Sequence, residues 1–133
     1  FALLFLDLDK FKPVNDTLGH AAGDELLQVV AARIQHQVRE SDTVARVGGD
    51  EFTVILPDIG KSQEAETVAR KIIAALSAPF DLGIPIQRVE IGTSVGIALY
   101  PADGGDADAL VKAADGAMYS AKQIGGSFRF FEA

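Results

Sequence analysis

"RVGGDEFTVIL", residues 46–56, sets two acidic side chains on a pair of glycines between runs of strand formers. "TVARV" (43–47) leads in and "FTVIL" (52–56) leads out, and both are rich in β-branched residues. Two such runs joined by a glycine-bearing turn predict a β-hairpin. Gly48 and Gly49 are enough to build that turn. Asp50 and Glu51 add two like charges where the chain re-enters a strand. Either the turn is an ordinary solvated one, or it faces something positive.

Working outward, the chain of 133 residues is sized for one domain with its own core, and its 48 % hydrophobic and 23 % charged content suits a globular protein. It carries no cysteine, so no disulfide framework exists and a reducing cytoplasm is compatible. The net charge of −7 argues against a nucleic-acid polymer as partner, because such affinity comes largely from Lys and Arg neutralising phosphates. A small anionic ligand held by a local cluster or by metal ions stays open. The opening run "FALLFL" is too short to span a bilayer and lacks the basic flank of a signal peptide. It begins without a capping or lead-in segment, as expected of a domain cut from a longer protein.

"FALLFL" reads as a central strand buried on both faces. "DLDKFKPVNDTLGH" (7–20) reads as a loop with a short turn. Leu27, Val30, Ile34 and Val38 mark one face of a helix over 23–39, with His36 in its middle. A second helix, 62–78, turns Ala65, Val68, Ile72, Ala75 and Leu76 inward and stops at Pro79. "FDLGIPIQRVEIG" predicts a small hairpin and "TSVGIALYP" a strand. A third helix starts with Asp106 as N-cap and buries Leu110, Ala113, Ala117 and Ala121. Gly116 weakens that helix by about 1 kcal/mol relative to Ala, so packing must hold it. A last strand is expected at 128–131. The order β-α-β-β-α-β-α-β predicts an α+β fold: a central, mostly antiparallel sheet flanked by helices, with a ferredoxin-like βαββαβ core. The first strand and the hairpin are then sheet neighbours.

That neighbourhood brings Asp7 and Asp9, at the end of strand one, beside Asp50 and Glu51. A carboxylate at a buried strand end is costly unless paired or bound to a cation. The alternative for Asp7 is a strand-end acid that starts the following turn. Clustered acids repel, and hard divalent cations resolve the repulsion. Mg²⁺ in particular binds through one or two carboxylates plus substrate phosphates. The glycines let a ligand approach backbone N–H groups. This pattern fits metal-assisted phosphoryl or nucleotidyl transfer. A nucleophilic hydrolase does not fit, since there is no GxSxG elbow and no Cys. His20 reads as a loop-bracing hydrogen-bond partner and His36 as a solvated residue.

Asn15 lies in the loop and Asp24 near the start of the first helix. As a helix N-terminal acid Asp24 suits the macrodipole. Together, an Asn and an Asp aimed into one pocket can read the N1–H and N2–H₂ donors of guanine. No GxxxxGK[ST] or GxGxxG loop is present to grip phosphates.

"DLDKFKPVNDTLGHAAGDELL", "DTVARVGGDEF", "TSVGIALYP" and "ADGAMYSAK" resemble, in order, the blocks of the GGDEF family, the diguanylate cyclases. The family's usual lead-in, Asp-x-Leu-Thr-x-Leu-x-Asn-Arg, is missing here. The resemblance implies a nucleotide-cyclase-like fold and condensation of two GTP into cyclic di-GMP with release of pyrophosphate, using Mg²⁺ or Mn²⁺. Each domain holds one GTP, so a second GGDEF domain must face it in a homodimer. By similarity Asp7, Asp50 and the Leu8 carbonyl ligate metal, with Glu51 nearby. Asn15 and Asp24 match the guanine readers, and Phe11 packs by the site. Lys12 and Lys122 match the phosphate-contacting lysines. Gly48 and Gly49 are the turn against which the substrate lies.

"RESD" (39–42) ends six residues before Gly48, where the family carries its RxxD inhibitory site. Arg39 and Asp42 then bind cyclic di-GMP, with Arg70 as a further contact. Read structurally, Arg39 suits the last turn of a helix and Asp42 a turn. One departure stands out. Gly126-Ser127 occupy the place of the family's Arg-Asn pair, which removes a phosphate-contacting arginine for which Arg129 is the candidate substitute.

Two readings follow. One is an active cyclase with product feedback. The other is a catalytically weak GGDEF module that binds GTP or cyclic di-GMP and regulates an attached EAL phosphodiesterase domain. The resemblance to GGDEF–EAL proteins implies covalently attached EAL and sensor domains. It also implies a cytoplasmic location, including that of the cytoplasmic part of a membrane-bound signalling protein.

Overall fold

The opening apolar run forms strand β1 (Ala2–Asp9), which lies at the centre of a five-stranded sheet in a computed structural model that describes residues 1–132. Helices α1 (Phe11–Leu18) and α2 (His20–Gln35) follow, then the hairpin β2 (Thr43–Gly48) and β3 (Glu51–Leu56), and α3 (Ser62–Ser77). A small separate hairpin, β4 (Phe80–Leu82) with β5 (Gln87–Val89), precedes β6 (Gly92–Leu99), α4 (Ala107–Lys122) and β7 (Phe128–Phe130). The sheet order is β2-β3-β1-β6-β7; β1 pairs antiparallel with β3 and β6, β2 antiparallel with β3, and β7 joins β6 in parallel. The α+β expectation holds, as does the placement of the hairpin beside the first strand.

Alternation along β1 divides the core into two. Ala2, Leu4, Leu6 and Leu8 face the layer built with α2 and α3, while Leu3 and Phe5 face Leu110, Ala113, Ala114 and Met118 of α4. No helix among the described residues is long and apolar enough to cross a membrane.

The expected loop over 7–20 is corrected: residues 11–18 are helical. The Pro, Asn and Asp content pointed to a loop, but Pro13 falls in the first turn of α1, where its missing N–H has no helical partner to lose. Val14 is buried there and Phe11 and Leu18 pack against the core. Lys10 takes a left-handed φ of 67°, so the strand turns into the helix within one residue.

The expected helix over 23–39 runs instead from His20 to Gln35, and His36 is its exposed C-cap, not a mid-helix residue. Leu27, Val30 and Ile34 are buried as the spacing requires, and Val38 packs against the core from beyond the helix end. In α3, Ala65, Ile72 and Leu76 are buried, Val68 and Ala75 are half-buried, and Ala78 is extended before Pro79. Arg33 clamps this end: its guanidinium donates to the carbonyls of Ala75, Ala78 and Pro79 at 2.9, 2.7 and 2.7 Å and lies 3.6 Å from the Phe80 ring centroid. Asp106 caps α4 by accepting from the Ala109 N–H at 2.8 Å. What holds α4 despite Gly116 is its buried face together with Gly96 of β6. A Cβ at Gly96 would overlap the Ala114 carbonyl and the Met118 amide, so the helix lies directly on the strand backbone.

Candidate functional site

Asp7 and Asp9 continue the row that Leu3 and Phe5 begin on the α4 face of β1. The apolar cover ends where α4 ends, and its last residue, Lys122, reaches over the two acids. Its Nζ lies 2.9 Å from Asp7 Oδ2 and 3.5 Å from Asp9 Oδ1, and both carboxylates are 14 % exposed.

Across the antiparallel ladder Asp7 stands opposite Glu51, and directly opposed residues share a face. The strands of the hairpin reach further into the turn than the apolar runs indicate: Gly48 pairs with Glu51, leaving Gly49 and Asp50 as the loop. Gly49 has φ +46°, the left-handed region that favours glycine. Arg46 Nε donates to the Gly49 carbonyl at 2.9 Å, and the Leu8 N–H donates to the Asp50 carbonyl at 3.2 Å. The acidic turn is thereby fixed to the end of β1.

The electrostatics follow from this crowding. Burial, then the charge of Asp7, raises the Asp50 carboxyl above its ordinary value, against the pull of its own backbone N–H and of Lys122. Burial also raises Glu51, followed by Asp7, Asp115 and Asp50. Burial alone would lower the Lys122 ammonium. Its hydrogen bond to Asp7 and the charges of Asp7 and Asp9 overcome that, and its pKa is raised. The charge of Asp115, an exposed residue of α4, adds to this field, which the sequence did not indicate.

Asp7 Oδ1 is buried without a hydrogen-bond partner. A buried carboxylate oxygen left so is expensive, and a cation is the group it suits. Among the described residues no three His, Cys, Asp or Glu side chains converge tightly enough to hold an ion alone. Asp7 and Asp50, with the Leu8 carbonyl, could hold a hydrated Mg²⁺ or Mn²⁺ that takes its remaining ligands from water and phosphates.

On the far side of the turn, Asn15 of α1 lies over Gly23 of α2, where a Cβ would collide with its amide oxygen, and the Phe11 ring flanks the same glycine. The Asn15 amide nitrogen donates to His20 Nδ1 at 3.1 Å, so His20 braces this corner as expected. Gly23 thus brings Asn15 next to Asp24, which is exposed and sits in the second turn of α2, not at its N-terminus. Asp24 lines a groove of about 490 Å³ with Leu27, Arg46 and Phe52. Lys12 is exposed on α1.

The RxxD residues form a turn beyond α2. The Arg39 N–H donates to Asp42 Oδ2 at 2.8 Å, the Arg39 guanidinium lies 4.0 Å from the same oxygen, and the Asp42 N–H returns to the Arg39 carbonyl at 3.0 Å. Arg39 is therefore outside the helix, which corrects the last-turn dipole reading; Arg33 is the basic residue of that turn. Asp42 is buried and its Oδ1 has no partner. Arg70 pairs with Glu66 at 3.1 Å and lies 5.0 Å from the Phe128 ring centroid, in a groove with Gly126 and Ser127. Arg129 lines a groove of about 600 Å³ with Gly116, Ala117 and Ser120, which holds none of Asp7, Asp50 and Lys122.

The family described as "Diguanylate cyclase, GGDEF domain" matches residues 1–127. The chain belongs to the GGDEF family. This GGDEF domain is 49 % identical over 133 residues to the bifunctional diguanylate cyclase/cyclic di-GMP phosphodiesterase MucR of Pseudomonas aeruginosa, covering 99 % of this chain and 19 % of MucR. It is 48 % identical over 132 residues to the diguanylate cyclase TpbB of the same organism, covering 98 % of this chain and 30 % of TpbB. The chain thus spans less than a third of either relative. A crystal structure of the TpbB GGDEF domain superposes with a TM-score of 0.95 at 47 % identity, covering 99 % of this chain and 82 % of that one. A GGDEF domain of DgcB from Caulobacter crescentus, solved in complex with c-di-GMP, gives 0.81 at 32 % identity, with 98 % and 75 % covered.

Proposed function

We propose that this GGDEF domain is a diguanylate cyclase that joins two GTP into cyclic di-GMP with release of pyrophosphate. The observation that carries the reading is the carboxylate set at the end of β1: Asp7, with its unpartnered buried oxygen, faces Asp50 and Glu51 under the Lys122 ammonium. Asp7, Asp50 and the Leu8 carbonyl would hold Mg²⁺ or Mn²⁺. When bound, such an ion neutralises charge on the transferring phosphate and eases loss of the proton from the attacking hydroxyl.

The chain's own residues do the rest. Asn15 and Asp24 accept from the guanine edge, with Phe11 at the same Gly23 corner and Leu27 in the groove that Asp24 lines. An adenine there would leave Asp24 without donors. Lys12 and Lys122 hold phosphate oxygens, and the Gly48-Gly49 turn admits the triphosphate close to the backbone. Each 3′-hydroxyl attacks the other nucleotide's α-phosphate in line with departing pyrophosphate. One domain holds one GTP, so the reaction needs a second copy facing it, and much of the acceleration comes from aligning the two substrates.

Cyclic di-GMP, the compound in the DgcB complex, is proposed to feed back at Arg39 and Asp42, with Arg70 as a further contact. Arg39→Ala should raise the cyclic di-GMP concentration for half-inhibition by about tenfold, the loss of one charge-assisted contact. An unchanged inhibition curve would remove Arg39 from this role.

A second reading is favoured by Gly126, which leaves the phosphate end without the family's arginine, and by the bifunctional relative MucR. In it, the domain binds GTP or cyclic di-GMP and regulates an attached EAL domain in the cytoplasm with little turnover of its own. Two assays on the same preparation separate the readings. Calorimetry with GTP and ATP in Mg²⁺ reads binding, and chromatography of the mixture reads cyclic di-GMP and pyrophosphate. The cyclase reading expects GTP preference and both products; GTP binding with neither product supports the regulatory one.

A further inference from the structure

We propose that Asp9 is a positioning residue, which holds Lys122 and the turn after α4 against Asp7; this rests on the reading of Lys122 as a phosphate-contacting residue. The Asp9 side chain ties β6, the end of α4 and the turn after it together. It accepts from the Ser94 hydroxyl of β6 at 2.9 and 3.1 Å, and from the Gly126 N–H at 2.9 Å, while Lys122 Nζ stands 3.5 Å from its other side.

Each partner is committed to the arrangement. Ser94 is fully buried, so its hydroxyl has no water to turn to. Gly125 and Gly126 have φ of +81° and +57°, and this left-handed pair folds the chain back so that the Gly126 N–H meets Asp9. A lysine is a point charge on a flexible four-carbon stem. With Asp7 alone, the ammonium has Asp50 and Glu51 within its field as competing partners. The fork of Asp7 and Asp9 selects one direction. Gly126 has no side chain to place at the phosphates, and its N–H instead anchors the end of α4, which leaves Lys122 to be aimed by Asp9. Asp9 itself points at hydrogen-bond donors on β6 and the turn, and acts through Lys122.

The test compares the wild-type chain with Asp9→Asn, Ser94→Ala and Lys122→Met, singly and combined. Asp9→Asn keeps an acceptor for Ser94 and Gly126 but removes the charge facing Lys122. It should lower kcat about tenfold while changing KM for GTP less than about twofold, because misdirection of a contacting group costs rate more than binding. Ser94→Ala should give a smaller loss in the same sense. In the Lys122→Met background Asp9→Asn should have no further effect, since the two act as a unit. A full, additive loss in that background, or unchanged kcat in Asp9→Asn, overturns the proposal. A readout independent of turnover is NMR of the Lys122 side chain: its Cε order parameter should fall in Asp9→Asn while the fold's amide spectrum outside residues 122–127 is retained. An unchanged order parameter also overturns it. If the wild-type chain makes no cyclic di-GMP, the function fails on that assay while the Lys122 measurement still decides the role of Asp9.

Discussion

Asp50→Asn is expected to abolish turnover and at the same time to raise the melting temperature of the metal-free chain. Asp50 lies in the two-residue turn whose carbonyl is held by the Leu8 N–H, and its carboxyl pKa is raised, first by burial and then by Asp7. An acid whose pKa is raised on folding disfavours the fold wherever it is ionised, and protonation removes the penalty. The penalty is therefore present wherever the carboxyl is ionised and is relieved as pH falls through its raised value. Asparagine removes it at every pH. The same substitution takes away one of two proposed metal-binding carboxylates, and the loss of that charge stabilisation should cost at least about 100-fold in rate. Melting curves in chelator, with product assays in Mg²⁺, read the two effects together. A variant that is inactive and also less stable would contradict the electrostatic account of the turn. Affinity of the wild type for Mg²⁺ should fall as pH is lowered through the same window, because protons and the cation compete for Asp50.

Gly96→Ala is expected to cost about 3 kcal/mol or more, unusually large for one added methyl group. The new Cβ would meet backbone, the Ala114 carbonyl and the Met118 amide, and backbone cannot rotate aside as a side chain can. Helix α4 must lift away from β6. It buries Leu110, Ala113, Ala114, Ala117, Met118 and Ala121 and ends in Lys122, so activity should fall with stability. Gly116→Ala on the same helix is the contrast: nothing lies within 4 Å of its Cβ, and the better helix former should stabilise by up to about 1 kcal/mol. Urea denaturation of the two variants gives opposite signs on this account. Similar values for both would show that close packing at Gly96 is not what holds α4.

The unbroken apolar run "FALLFL" and the β-branched runs around the Gly-Gly pair carried the sheet, because a strand buried on both faces reads as continuously apolar and a glycine turn between two such runs makes a hairpin. From the resulting adjacency of β1 and β3 came the carboxylate cluster, and Asp7 does stand opposite Glu51. Local composition misled at 7–20. Pro13 and the Asn-Asp pair are loop-forming in isolation, but the burial of Val14 and the packing of Phe11 and Leu18 make a helix there. The end of α2 differs for a related reason: Val38 continues the apolar spacing, but beyond Gln35 the amides of Gln37 and Val38 bond three residues back, and the Arg39–Asp42 turn follows. Asp9 was visible beside Asp7 as the second acid of one strand face. Its role was not, because Ser94 and Gly126 meet it only through tertiary structure. The charge of Asp115 reaches the site in the same way, from a helix surface that reads as solvated.

The most direct measurement is the initial rate of cyclic di-GMP formation from GTP and Mg²⁺ over a wide range of chain concentrations. Two domains each holding one GTP predict product formation, with a rate per chain that climbs with concentration until dimers saturate. A chain that binds GTP tightly yet forms no cyclic di-GMP at any concentration would contradict the claim that this carboxylate site is catalytic.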